Sequence, residues 1–230
     1  KQFDLPVYLY AESARSNQRI RLPDIRRGEY EGLEAKITSS EWVPDYGKAE
    51  FKPRMGATAT GARQILIAYN VNLNTSDKKK ANSIAGAIRT SGVILRDDNG
   101  EKLLSDDGKP IRKPGMFQHL QAAGWMYNQD TAQVSMNLLN HNVTGLHSVT
   151  DAIRTEAKKI GLEAVAGELV GLVPLSALIS AGKHYHDESD NADHATLVQS
   201  AIRGLMLDEL GEFDAHNSII EWALEANLGD

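Results

Sequence analysis

An α+β fold with a ferredoxin-like β-α-β-β-α-β order is the prediction for residues 64–170, and three observations carry it. Ile65, Ile67, Tyr69, Val71 and Leu73 alternate as a strand with one apolar face. Ala81, Ile84, Ala85 and Ile88 then keep helical spacing behind Ser76, a residue that can cap. Two strands near 117–127 and 132–140 are followed by a second amphipathic helix and a last strand over 164–170. In that order an antiparallel sheet is covered by helices on one face.

The elements follow in chain order. Leu5-Pro6-Val7-Tyr8-Leu9-Tyr10 is a β-branched and aromatic run that reads as a buried strand. Arg21-Leu22-Pro23 opens a helix, since Pro suits the first turn, and Ile25, Tyr30, Leu33 and Ile37 form its apolar stripe. From Ser39 to Arg63 periodicity vanishes, and Gly47, Pro53, Gly56 and Gly61 punctuate a long irregular stretch holding Lys48, Lys52 and Arg54. Long irregular stretches inside a compact domain are often functional, so this is the first candidate site. Arg96 to Pro114, with Asn99-Gly100 and Asp107-Gly108, reads as an exposed hairpin inserted between elements. The second helix carries Leu146, Val149, Ile153, Ala157 and Ile160, and Gly161 stops it. Residues 175–186 and 194–210 add helices at the end.

Composition narrows the function. The chain has 230 residues, 41% of them hydrophobic and 24% charged, which suits a globular protein able to bury a core. It has no Cys, which excludes disulfides, thiolate metal sites and a cysteine nucleophile. No apolar run approaches the roughly 20 residues of a membrane span. No secretory leader is present, and the chain starts at Lys1 without Met, so it reads as a piece of something longer. Residues 1–113 carry 20 Lys/Arg against 15 Asp/Glu, whereas residues 114–230 carry 5 against 16. That asymmetry disfavours nucleic acid, which wants a sustained basic face, but leaves room for a local basic pocket that meets a small anion.

The chemistry that spacing alone supports is limited. Asn70, Asn72, Gln133, Ser135 and Asn137 occupy the sheet face opposite the apolar residues, with His119 and Gln121 on the neighbouring strand. Such a face either meets water or binds a small polar ring, because amides donate and accept at once. None of the seven His falls in an H-x-x-x-H set, and His184 and His186 with Asp187, Asp190, Asp193 and His194 read as a solvated loop. No metal is expected. No Walker A, G-x-G-x-x-G or G-x-S-x-G occurs.

Specific runs carry further. Trp42-x-Pro44-Asp45-Tyr46-Gly47, Gly56-Ala57-Thr58-Ala59-Thr60-Gly61-Ala62-Arg63 and Leu66-Ile67-Ala68-Tyr69-Asn70-Val71-Asn72-Leu73 resemble the glutamate formiminotransferase family. So do Gly28-Glu29-Tyr30-Glu31, Ala132-Gln133-Val134-Ser135 and Leu169-Val170-Gly171-Leu172-Val173-Pro174-Leu175, in collinear order. The family occurs alone in bacteria and fused to a cyclodeaminase in animals. The Arg96 to Pro114 insertion departs from it.

The resemblance implies two ferredoxin-like subdomains, with residues 1–64 the end of the first and 65–230 the second. It implies transfer of the formimino group from N-formimino-L-glutamate to tetrahydrofolate in histidine degradation, without a metal. Its folate-binding segment falls on Gly47, Lys48, Ala49, Glu50, Phe51, Lys52, Pro53, Arg54, Met55 and Gly56. Lys48, Lys52 and Arg54 suit ligands that end in glutamate carboxylates, including folate polyglutamates, and Phe51 and Met55 suit a flat ring. The family's acid–base His lies upstream of where Lys1 falls, so no catalytic residue is assigned and this fragment alone is expected to be inactive. Lys52-Pro53-Arg54-Met55-Gly56 echoes the Pro-Arg-Met-Gly that follows that His. A cytoplasmic homo-oligomer, with a cyclodeaminase as partner, is also implied. A folate-binding homologue that transfers formyl, or a non-catalytic assembly module, are the alternatives.

Overall fold

A computed structural model of the protein describes residues 4–228, and the chain divides after Gln64 into two compact units. In the first, β1 (Val7–Ala11) leads to two short helices, α1 (Leu22–Arg26) and α2 (Leu33–Thr38), and then to β2 (Thr58–Ala62). β1 and β2 pair in parallel, from Val7 with Thr58 to Ala11 with Ala62. Tyr8, Ile25 and Ile37 form a small core against which Leu33, Trp42, Phe51 and Ala57 pack.

Two sequence expectations change here. The single helix expected from Pro23 onward is two, because Gly28 (φ 91°) and Glu29 (φ 48°) both turn left-handed after α1. A left-handed residue ends a right-handed helix. The stretch expected to stay irregular as far as Arg63 contains strand β2. Its residues are all exposed, so no apolar alternation marks it, and only backbone pairing with β1 makes it a strand.

The second unit holds most of the core. β3 (Ile67–Leu73) and α3 (Lys78–Ile88) come first, and Asp77 rather than Ser76 caps α3, accepting from the Lys79 N–H at 2.8 Å. The inserted hairpin, β4 (Val93–Ile94) with β5 (Arg112–Lys113), closes on a ring of three backbone bonds among Leu95, Leu103 and Ile111. Leu95 N–H donates to Ile111, Leu103 N–H to Leu95, and Ile111 N–H to Leu103, at 2.8–3.0 Å. The remaining elements are β6 (Leu120–Met126), β7 (Ala132–Leu138), α4 (Leu146–Lys159), β8 (Ala164–Val170), α5 (Leu175–Tyr185), α6 (His194–Gly204), α7 (Ala215–Ser218) and α8 (Ile220–Leu228). α6 stops six residues before the expected end, where Met206 turns left-handed (φ 60°).

The sheet runs β6-β7-β3-β8 with every neighbour antiparallel. Ile67, Tyr69, Val71 and Leu73 bury their shared face with Ala81, Ile84 and Ile88 of α3 and Val149, Ile153 and Ala157 of α4. Burial of these side chains, about 1.5–3 kcal/mol for each large one, is the main stabilising contribution. Polar side chains of α3 and of the turn after it cover the edge strand: Asn82 of α3 accepts from the Gly124 N–H, and Thr90, just past the helix, from the Leu120 N–H. An edge covered in this way cannot template pairing with another chain.

Candidate functional site

The first unit holds a cavity of about 360 Å³. Tyr8 of β1, Ile25 and Arg26 of α1, the turn residues Glu29 and Tyr30, and Leu33 of α2 form one wall. Residues 53–59, which lead into β2, form the other. Tyr30 joins the walls: its hydroxyl donates to the Pro53 carbonyl at 2.5 Å, and its ring lies 5.7 Å from that of Phe51. The charged groups at the cavity are Arg26, Glu29 and Arg54. Arg26 pairs with Glu29 at 3.2 Å, and Arg54 has no ion pair among the described residues. The site therefore presents one uncommitted cation beside an apolar floor, which suits a carboxylate attached to a ring.

The structure divides the segment 47–56 by role. Pro53, Arg54, Met55 and Gly56 line the cavity. Phe51 packs beneath them on the small core. Lys52 is committed elsewhere, donating to the Asp4 carbonyl at 3.0 Å and lying 3.6 Å from the Asp4 carboxylate. Lys48 shares that carboxylate at 3.5 Å. Gly47 is structural: with φ 81°, a Cβ there would lie 2.2 Å from the Leu5 carbonyl oxygen. Ala49 and Glu50 are exposed and line no described cavity. The segment reading missed Arg26, Glu29 and Tyr30, although a Gly interrupting a helical stripe marks a break worth inspecting.

The loop is anchored from below. Asp45, with a side chain 3% exposed, accepts from the Leu9 N–H at 2.7 Å and from Arg19 at 2.9 Å. Arg19 also donates to the Val43 carbonyl at 2.7 Å and lies over the rings of Tyr8 and Trp42.

In the second unit the polar sheet face is largely satisfied within itself. Gln133 donates to Asn72 at 3.2 Å, and both are under 5% exposed. Asn70 donates to Glu168 at 2.9 Å. Trp125, on that same face by register, is 59% exposed with the Lys78 ammonium 4.8 Å from its ring centre. Glu168 and Trp125 were not singled out from the sequence.

The histidines lie outside the cavity. His184 sits 2.7 Å from Asp151, which also accepts from the Tyr185 hydroxyl at 3.0 Å, and His147 stacks on His184. Burial, then the neighbouring His184, holds the His147 imidazole below its usual pKa. His119 immediately precedes β6 with φ 53°, its carbonyl accepting from Leu139. Among the described residues no three His, Asp or Glu side chains are grouped to hold a metal ion, and no helix is long and apolar enough to cross a membrane.

Known proteins match this chain along most of its length. The formiminotransferase domain family matches residues 68–225, and its N-terminal subdomain family matches residues 1–63. The formimidoyltransferase-cyclodeaminase of Mus musculus is 40% identical over 227 residues, covering 96% of this chain and 38% of that protein. That of Dictyostelium discoideum is 37% identical over 231 residues, covering 99% of this chain and 40% of that protein. The glutamate formimidoyltransferase of Streptococcus pyogenes serotype M1 is 32% identical over 205 residues, covering 89% of this chain and 61% of that protein. The chain thus spans about two fifths of the bifunctional relatives.

Proposed function

Since the chain belongs to the formiminotransferase domain family, we propose that it serves transfer of the formimino group from N-formimino-L-glutamate to tetrahydrofolate in histidine degradation. On this reading residues 1–64 belong to the N-terminal subdomain and carry the folate segment 47–56. Residues 65–230 form the C-terminal, ferredoxin-like subdomain. The extents of the two family matches and the β6-β7-β3-β8 order support that division. A cytoplasmic homo-oligomer, acting with a cyclodeaminase as the names of the animal relatives suggest, completes the proposal.

The observation that carries the reading is the cavity formed by Pro53–Gly56, with the uncommitted Arg54 at its wall. In the reaction, N5 of tetrahydrofolate adds to the amidine carbon and the bond from that carbon to the glutamate nitrogen breaks. N5 gives up its proton, and the departing nitrogen gains one. No His lines this cavity, so its part is to bind and orient. Orientation matters because two bound reactants meet as one molecule does, which lowers the entropic part of the barrier. Arg54 takes a carboxylate, and Met55 with the Tyr8–Ile25 floor takes apolar surface.

Calorimetric titration of the chain with reduced tetrahydrofolate tests this reading. Saturable binding to one site per chain is expected. Absence of binding to both tetrahydrofolate and N-formimino-L-glutamate would remove it, leaving an assembly role.

A further inference from the structure

We infer that Glu29 reads the planar N–C–N donor edge of the ligand while Arg54 reads its carboxylate, an inference that rests on the formimino-transfer reading. Both side chains line the one cavity of about 360 Å³. Glu29 occupies left-handed backbone (φ 48°) directly after Gly28 (φ 91°). A non-glycine residue in that region carries a conformational cost, and such residues cluster where a site fixes them. Here the turn separates α1 from α2 and delivers a carboxylate to the cavity wall.

That carboxylate is available. Its one described partner is Arg26, at 3.2 Å, and the two side chains are 65% and 62% exposed. A solvated pair of this kind is weak, so a ligand can displace Arg26 readily. The two oxygens of a carboxylate match two parallel N–H groups, the fork geometry of an amidine or a guanidine-like ring edge. The proposed reactants both carry that edge together with a carboxylate. N-formimino-glutamate has its amidine, and the pteridine of tetrahydrofolate has its 2-amino group beside N3–H. N-formyl-glutamate offers a single amide N–H instead. Where the edge read is the amidine, the pairing of Glu29 with an uncommitted Arg54 favours a formimino over a formyl donor at the same wall.

The test is titration of the chain and of Glu29→Gln with four probes. These are tetrahydrofolate, N-formimino-L-glutamate, N-formyl-L-glutamate and p-aminobenzoyl-L-glutamate, which lacks the pteridine. Gln keeps the size and the backbone preference of Glu, and circular dichroism checks the fold. Glu29→Gln is expected to weaken tetrahydrofolate or N-formimino-glutamate about tenfold and to leave the other two within twofold. The ligand that suffers names the source of the edge. Arg26→Ala, which frees Glu29 of its competing partner, is expected to raise the same affinity. Unchanged binding in Glu29→Gln, equal weakening of all probes, or a matching loss in Arg26→Ala overturns the assignment while leaving the formimino-transfer reading intact. A wild-type chain that binds neither tetrahydrofolate nor N-formimino-glutamate overturns both.

Discussion

Arg19 and Asp45 pair at 2.9 Å with side chains 8% and 3% exposed, and this contact ties the turn after β1 to the loop that leads into the cavity segment. The carboxylate also holds the Leu9 N–H, so the pair is fixed by backbone as well as by charge. Removing one partner of a buried pair strands the other. Asp45→Ala is expected to cost about 3–5 kcal/mol in urea unfolding, and Asp45→Asn less, since the amide still accepts from Leu9. A change under about 1 kcal/mol in both variants would show the pair to be solvated.

Gly47 sets the same loop by contact. Ala at this position would keep φ 81° only under strain and would place its Cβ against the Leu5 carbonyl. Gly47→Ala is therefore expected to cost more than about 2 kcal/mol. Gly108→Ala, at φ 76° with open space around it, should cost only about 1 kcal/mol. Thermal denaturation of the two variants gives the comparison, and equal shifts would contradict the close approach.

How much of this was legible in the sequence depends on where side chains meet water. Ile67–Leu73 and Leu146–Ala157 declared themselves because each carries its apolar residues on one face and polar residues on the other, although in β3 Asn70 and Asn72 are buried as well. β2 did not, since all five of its residues are exposed and its pairing with β1 is a long-range event that leaves no local pattern. Loss of periodicity marked Ser39 to Arg63, the family resemblance narrowed that stretch to 47–56, and the last four of those residues line the cavity. Glu29 and Tyr30 escaped because they sit in what read as a continuous helical stripe. Lys52 looked like Arg54 on paper, and only the fold shows its ammonium bound to Asp4.

That difference between two cations is measurable. Arg54→Ala is expected to weaken tetrahydrofolate binding about fivefold, near 1 kcal/mol, a charge-assisted contact discounted for exposure. Lys52→Ala should leave affinity within twofold. Calorimetry on both variants decides, and a larger loss from Lys52→Ala would move the carboxylate-reading role away from Arg54.

Stability should fall with acid. Burial holds both His141 and His147 below the usual imidazole pKa, against the opposing pull of Glu221 and Asp151 respectively. Each is therefore protonated more readily unfolded than folded, so its contribution is complete above the unfolded value, about 6.5, and is lost as pH drops below it. Each can contribute at most about 1.4 kcal/mol per pH unit. Urea midpoints between pH 7.5 and 5.5 are expected to decline, and to decline less steeply in a His141→Asn, His147→Asn double variant. Parallel profiles would assign the acid sensitivity to other groups.

The proposed tetrahydrofolate site lies between residues 53–59 and the Gly28–Leu33 turn. Amide hydrogen exchange of the chain, with and without saturating tetrahydrofolate, locates the ligand directly. Slowed exchange is expected in peptides covering 28–33 and 54–59, and little change in those covering β6 and β7. Protection confined to β6 and β7, with the two cavity walls exchanging at their unliganded rates, would contradict it.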